Sequence, residues 1–389
     1  MSRRELLTAA AGIAAGPLPG AADRWAAVNA FVEEGLHDGV YPGAALIVSH
    51  KGRIVFQRSW GTYCSLTDRA APLSLSVRHP LYSYSKLISA TVVVMAHQDG
   101  RIAYDAPVRT YIPEFVGGGK ESITLRQLLT HSAGIPNVPL GPVRTEEEWR
   151  AAVRAVCEAQ IEWPPGSKTL YHGLSGLFVA AEAVRRVTGN PSWERLCRER
   201  LFDPIGAKTL TFAVPPDSAP VALTPQPKEL PKTLFDGLGL GGHPAGGCIG
   251  TIADALKVLQ LHLNGGVWRG RRLLRADALA EMHTVQYARQ IAQARASGQT
   301  PAHETWGLGP LLRGDGPATG SHDWFGFHNQ NSPGIFGHAG IDTVIGVADP
   351  ASQIGLFFVT TDSPRPPEKT VQVRNGVTDR VFAALAGAG

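Results

Sequence analysis

At 389 residues the chain is too long for one small core and about right for a large domain or two interleaved ones, and its 43% hydrophobic and 18% charged residues are an ordinary globular balance. The formal charge of +4 is small for this length, and no Lys or Arg cluster alternates with aromatics, which argues against a nucleic-acid surface. Cys64, Cys157, Cys197 and Cys248 lack any Cys-x-x-Cys or Cys/His ligand spacing, so no metal site is expected and no disulfide connectivity can be read.

In chain order, Arg3-Arg4 and a short, weakly apolar stretch come first, followed by Pro19-Gly20-Ala21-Ala22. Residues 1–22 resemble a twin-arginine export signal cut near Ala21 or Ala22, which implies a periplasmic or extracellular protein. An ordinary N-terminal helix on a cytoplasmic protein is the alternative. The apolar stretch is too short for a stable membrane span.

Arg24 to Leu36 has the pattern of an amphipathic helix. Pro42 to Ser49 and Arg53 to Arg58 flank the compact turn His50-Lys51-Gly52 and predict a β-hairpin. Near the other end, Thr343 to Ala348 and Ile354 to Thr361 read as strands around Asp349-Pro350-Ala351-Ser352, with a closing helix from about Thr370 to Ala386. Between them, Ile123 to Thr130, Thr145 to Ala159, Leu174 to Thr188 and Ile252 to Leu263 are helical in period. The expected fold is therefore α+β: an antiparallel sheet built from both chain ends and flanked by helices, with a mostly helical region inserted. The boundaries expected are 23–85 with 246–389 for the sheet part and 86–245 for the helical part, with the site between them. Two long irregular stretches, Val214 to Pro231 and Gly314 to Gly337, are of the kind that line or cover a site, and Trp324, Phe325, Phe327 and His328 are expected to flank it.

Ser83 and Lys86 stand three residues apart in Pro-Leu-Tyr-Ser-Tyr-Ser-Lys-Leu-Ile-Ser-Ala, and no other serine has a lysine at this spacing. Residues i and i+3 share a helix face, so the amine can take the hydroxyl proton once it is neutral, and burial supplies that neutrality. The plain alternative is a pair of surface residues at a helix start. Against it, Leu87, Ile88, Ala90, Val92, Val93, Val94 and Met95 make the helix apolar, and a lysine opening a buried helix needs a reason.

Further landmarks follow: Ile123-Thr-Leu-Arg-Gln-Leu-Leu-Thr-His-Ser-Ala-Gly-Ile-Pro136, Gly242-His-Pro-Ala-Gly-Gly-Cys-Ile-Gly-Thr251, Trp306-Gly-Leu-Gly309 and Phe336-Gly-His-Ala-Gly-Ile341. With Ser83 and Lys86, these make the chain from about residue 25 onward resemble the serine β-lactamase and penicillin-binding-protein superfamily. The likeness is greatest to its class C β-lactamase, D-alanyl-D-alanine peptidase and family VIII carboxylesterase branch, which implies a β-lactamase/transpeptidase-like fold. The resemblance assigns catalysis to Ser83, Lys86 and Tyr171, the tyrosine of the family's Tyr-x-Asn motif. Its phenol is expected to have a lowered pKa beside the lysine ammonium, against the alternative of a helix-start tyrosine packed under Trp163. The motif's asparagine is Gly173 here, which tilts the expectation from amides to esters. His338, Gly340 and Ile341 stand in the family's Lys-Thr-Gly strand. His338 would supply a polar or positive edge for substrate, Gly340 close approach, and the Ile341 N–H an oxyanion donor shared with the N–H of Ser83.

The expected activity is hydrolysis of a small-molecule ester or amide through a Ser83 acyl-enzyme, carboxylesterase-like, with acyl transfer to an alcohol or amine open to the same residues. No metal or organic cofactor is implied. A cell-wall D,D-peptidase or β-lactamase is the second reading, and a non-catalytic penicillin-recognition or sensor module the third. Oligomeric state is not legible.

Overall fold

The computed structural model describes residues 23–64, 70–213, 221–222, 242–341 and 343–386. The export-signal expectation at residues 1–22 and nearly all of the Pro-rich stretch Val214 to Pro231 lie outside the described residues.

The first helix, α1 (Ala26–His37), leads into the hairpin β1 (Gly43–His50) and β2 (Arg53–Tyr63). Its turn is formed by Lys51 and Gly52 at φ 51° and 77°, the left-handed pair that matches the twist of a two-residue hairpin. Short β3 (Ala71–Pro72) closes one edge of the sheet. The remaining strands come from the end of the chain: β4 (Leu311–Leu312), β5 (Phe336–Ala339), β6 (Ile345–Asp349) and β7 (Ile354–Thr360). The order across the sheet is β3-β2-β1-β7-β6-β5-β4. β1 and β7 pair antiparallel from Ala44 against Thr360 to His50 against Ile354, so the two ends of the chain meet at the centre of the sheet. Both strands are covered on both faces, which is why Ala-Ala-Leu-Ile-Val and Ile-Gly-Leu-Phe-Phe-Val are continuous apolar runs without alternation.

Period-two alternation divides β7 between two cores. Leu356 and Phe358 face α1 and the closing helix α8 (Lys369–Leu385), which follows the short α7 (Gly320–Phe325), with Val28, Val32, Val377 and Val381. Phe357 and Val359 face the opposite core, which holds α2 (Ser85–Gln98) and α6 (Ile252–Leu263). Beyond α2 lies the helical region: α3 (Leu125–Leu129), α4 (Glu146–Glu158) and α5 (Ser175–Thr188). α3 and α4 each start in a capping box, Thr124 with Gln127 and Thr145 with Glu148, which satisfies two N-terminal amides reciprocally. Every residue of α2 from Ser85 to Ala96 is buried, so this helix is the shared axis of the sheet and helical regions.

Among the described residues Cys157, Cys197 and Cys248 form no disulfide. Among the described residues, no helix is long and apolar enough to cross a membrane.

Candidate active site

Ser83 sits in a single 3₁₀ turn, Tyr82–Tyr84, immediately before α2. Tyr82 takes φ 45°, a left-handed conformation that an aromatic residue adopts only where its surroundings enforce it. Those surroundings are visible. His79 and Pro80 pair with Gly250 and Ile249, the Leu81 N–H donates to the Cys248 carbonyl at 2.8 Å, and the Cys248 N–H donates to Ser85 Oγ at 3.0 Å. Ser89 Oγ donates to the Pro244 carbonyl at 2.6 Å. The glycine-rich stretch Gly242 to Thr251 thus cradles the first turns of α2.

Lys86 is 1% exposed. Its Nζ lies 3.0 Å from Ser83 Oγ and donates to the Ala245 carbonyl at 2.8 Å. Among the described residues neither of these partners is a carboxylate, so nothing offsets the loss of water around an ammonium. Burial lowers the Lys86 pKa to about 7.

Tyr171 lies in the irregular segment before α5, and its hydroxyl is hydrogen-bonded to Ser83. The residue is 37% exposed, so one side of the ring borders solvent while the hydroxyl end is enclosed. The ring stacks on Trp306, 5.8 Å between centroids and 17° between planes, and touches His131 at 4.7 Å. Trp306, not Trp163, is therefore its packing partner. Enclosure pushes the phenol above its ordinary pKa, against the opposing pull of the Ser83 hydrogen bond and the Arg374 charge. This corrects the expectation of a lowered value. Lys86 Nζ lies over the ring face, 5.2 Å from its centroid, and its own proton is weakly held. The phenol remains a proton donor.

Four buried histidines, His131, His172, His243 and His338, lie near enough to Lys86 to feel its charge, and burial first and that charge among the further causes hold all four below the ordinary imidazole range. His172 is brought down to about 4 and His243 to about 3. His338 is fully buried, with Nδ1–H donating to the Ala339 carbonyl at 2.8 Å and its ring packed 5.0 Å from that of Phe325. A positive edge at this position is accordingly overturned: the imidazole is neutral and interior. Among the described residues, no group of three or more His, Cys, Asp or Glu side chains is disposed to hold a metal ion.

Gly340 follows β5 directly, against the nucleophile turn. A Cβ there would stand 2.8 Å from the Leu81 carbonyl oxygen and 3.0 Å from Tyr82 Cβ, so only glycine allows this approach. Its N–H donates to the Val344 carbonyl at 2.7 Å, and its carbonyl accepts from Arg374 on α8. Ile341 follows, and among the described residues its N–H makes no backbone hydrogen bond.

At Gly173 the place of the missing side chain is bordered by that of Asn137. A Cβ there would meet Asn137 Oδ1 and Nδ2, each at 3.6 Å, and Oδ1 accepts the Leu174 N–H at 2.9 Å. A carboxamide thus stands beside the Tyr-His-Gly segment although residue 173 has none. Asn137, the Ala245 carbonyl, Trp306 and Arg374 were given no role from sequence, whereas Phe325, expected to flank the site, does pack against Tyr171 and His338. Trp306, Ala245 and His131 lay inside the landmark segments, which was the available signal.

A family model described as Beta-lactamase matches residues 28–376. The chain is 22% identical to a proposed D-alanyl-D-alanine carboxypeptidase of Escherichia coli (strain K12), over 93% of this chain and 89% of that protein. It is 27% identical to Esterase/beta-lactamase LipL of Mycobacterium tuberculosis (strain ATCC 25618 / H37Rv), over 82% of this chain and 77% of that one. Among solved structures, a family VIII carboxylesterase superposes with a TM-score of 0.71 at 24% identity, covering 92% of this chain and 98% of the other. Because the family match runs through both the sheet and the helical region and takes in Ser83 and the buried Lys86 beside it, this chain belongs to the beta-lactamase family, as a serine hydrolase of that fold.

Proposed function

We propose that the site cleaves uncharged carboxylic esters through an acyl group carried on Ser83. The observation that carries this reading is Lys86 Nζ, 3.0 Å from Ser83 Oγ, with its pKa brought to about 7 by burial. In its neutral form the amine accepts the hydroxyl proton, reversing the direction of that hydrogen bond, as Oγ attacks the ester carbonyl. The Ser83 and Ile341 N–H groups receive the developing oxyanion, each contributing on the order of 3 kcal/mol by analogy with other hydrolases. Collapse breaks the bond to the alkoxide, which takes a proton from the Tyr171 phenol, and Tyr171 is reprotonated from Lys86. Water then repeats the sequence on the acyl-enzyme and releases the acid, or an alcohol does so and receives the acyl group.

Preference for an uncharged ester over a peptide carboxylate rests on His338. A terminal carboxylate bound along β5 would need a cation there, and the imidazole is neutral and enclosed. The aromatic rings of Trp306 and Phe325 packed on Tyr171 give the site an apolar wall. Gly173 does not add to the case, since the Asn137 carboxamide stands beside it. The esterase names of LipL and of the solved carboxylesterase agree with this reading.

The test is hydrolysis of p-nitrophenyl butyrate by the parent and by Ser83→Ala, with intact mass of the acylated protein. Turnover and a mass adduct in the parent, both absent from the variant, are expected. A parent inert to esters but acylated by a β-lactam would replace the proposal with the D,D-peptidase or β-lactamase reading, and equal turnover in both proteins would remove Ser83 from the mechanism.

A further inference from the structure

We infer that Arg374 is a positioning residue for the oxyanion-binding peptide, an inference that rests on the reading of the Ile341 N–H as an oxyanion donor. Arg374 projects from α8, far from Ser83 in sequence, and is fully buried. Its Nη2 donates to the Gly340 carbonyl and its Nη1 to the Trp324 carbonyl at 2.6 Å, while the guanidinium carbon stacks 4.4 Å from the Trp324 ring centroid. A guanidinium is planar, permanently charged and fixed in the directions of its donors, so these contacts together determine where Gly340 O lies.

The consequence follows from the geometry of a single peptide unit. Gly340 C=O and Ile341 N–H belong to the same planar trans amide and point in opposite directions. Holding the oxygen toward α8 aims the N–H away from α8. The nucleophile turn is close by: a Cβ on Gly340 would stand 2.8 Å from the Leu81 carbonyl oxygen and 3.0 Å from Tyr82 Cβ. The guanidinium charge held against the oxygen also draws electron density from the amide nitrogen and makes its N–H a stronger donor. The second carbonyl held by the same guanidinium belongs to Trp324, next to Phe325, whose ring packs against Tyr171 at 6.5 Å and His338 at 5.0 Å. One buried cation thus aligns the peptide that would receive negative charge and the aromatic wall beside the general acid.

A merely structural arginine would join α8 to the sheet without affecting the electronics of bound substrate, so the decisive readout is spectroscopic. The parent, Arg374→Met and Arg374→Lys are each acylated with p-nitrophenyl pivalate carrying ¹³C at the carbonyl, and the ester stretching band is recorded by infrared difference spectroscopy together with kcat and KM. In the parent the band is expected below its position in the denatured acyl-enzyme. In Arg374→Met it should move back toward that position, with kcat down about tenfold or more and KM within about threefold, and Arg374→Lys should recover part of both because one charged donor remains. A folded, acylated variant with the parent's band and kcat overturns the inference, and so does failure of both variants to fold, which would make the residue a general structural one. A parent that forms no acyl-enzyme on Ser83 instead sinks the proposed function, and that outcome is read from its mass before any Arg374 variant is measured.

Discussion

Lys86 Nζ donates to the Ala245 carbonyl at 2.8 Å, across 159 residues of sequence, and this bond orients the amine toward Ser83. The carbonyl satisfies one N–H of the amine without supplying the negative charge that would hold its proton, so burial decides the ionisation. With the pKa lowered to about 7, the amine loses its proton as pH rises through that value, and the base is present above it. The kcat/KM for ester hydrolysis should therefore climb about tenfold per pH unit on the acid side and level off above about pH 7. Lys86→Met should lower kcat by roughly 10²- to 10⁴-fold and abolish that limb of the profile. A pH-rate curve on both proteins checks this, and a flat parent profile between pH 5 and 8 would contradict it.

Tyr171→Phe keeps the ring on Trp306 and His131 and removes only the hydroxyl hydrogen-bonded to Ser83. Because its pKa is raised by enclosure, the phenol acts as an acid toward the leaving alkoxide. The variant should lose on the order of 10²-fold or more on ethyl esters and much less on p-nitrophenyl esters, whose leaving group departs without a proton. Paired rates on the two leaving groups measure this, and equal losses would assign Tyr171 to the attack step instead.

Gly340→Ala places a methyl 2.8 Å from the Leu81 carbonyl oxygen, and backbone has little freedom to withdraw. The strand end and the nucleophile turn must separate, so a loss of roughly 1 to 3 kcal/mol in stability is expected, with a fall in kcat. Gly173→Ala is the control, since its methyl meets Asn137 at an ordinary 3.6 Å and should leave stability within about 1 kcal/mol of the parent. Thermal unfolding of the two variants side by side decides between them.

Acid should unfold the protein steeply. Burial brings His79, His172 and His322 down to about 4 and His243 and His283 to about 3. Unfolded, the same groups take up protons near pH 6.5, so between 6.5 and their folded values the unfolded chain binds more protons and stability falls as pH falls. Each unit of difference is worth about 1.4 kcal/mol per group, and several act together. The melting temperature should hold above pH 7 and drop sharply from pH 6.5 to 4. A constant value over that range would mean that these imidazoles are hydrated.

Much of this molecule is local in origin and could be read as such. The spacing of Ser83 and Lys86 puts them on one face of a continuous helical run, Ser83 in the 3₁₀ turn that leads into α2 and Lys86 in the first turn of α2. The apolar runs of β1 and β7 mark central strands, and the landmark segments carried the family resemblance to Tyr171 and Gly340. Short β3 and β4 escaped notice because two-residue strands have no periodicity to detect. The properties that decide chemistry were of another kind. Whether Lys86 is neutral, Tyr171 protonated or His338 charged depends on how much water and which charges surround each group, and those neighbours come from separate segments of the chain, such as Ala245 for Lys86, Trp306 for Tyr171 and Lys86 for His338. The wrong expectations for Tyr171 and His338 arose there: the phenol was given a pKa lowered by a neighbouring ammonium and the imidazole a positive edge, before the burial that overrides both was known. The same holds for the Asn137 carboxamide beside Gly173 and for Arg374 on the Gly340 carbonyl, since neither contact follows from spacing. Sequence alone determined which groups the chain has and which secondary structure carries them; only tertiary packing decided their protonation and mutual direction, because desolvation and hydrogen-bond geometry are properties of the enclosure and not of the residue.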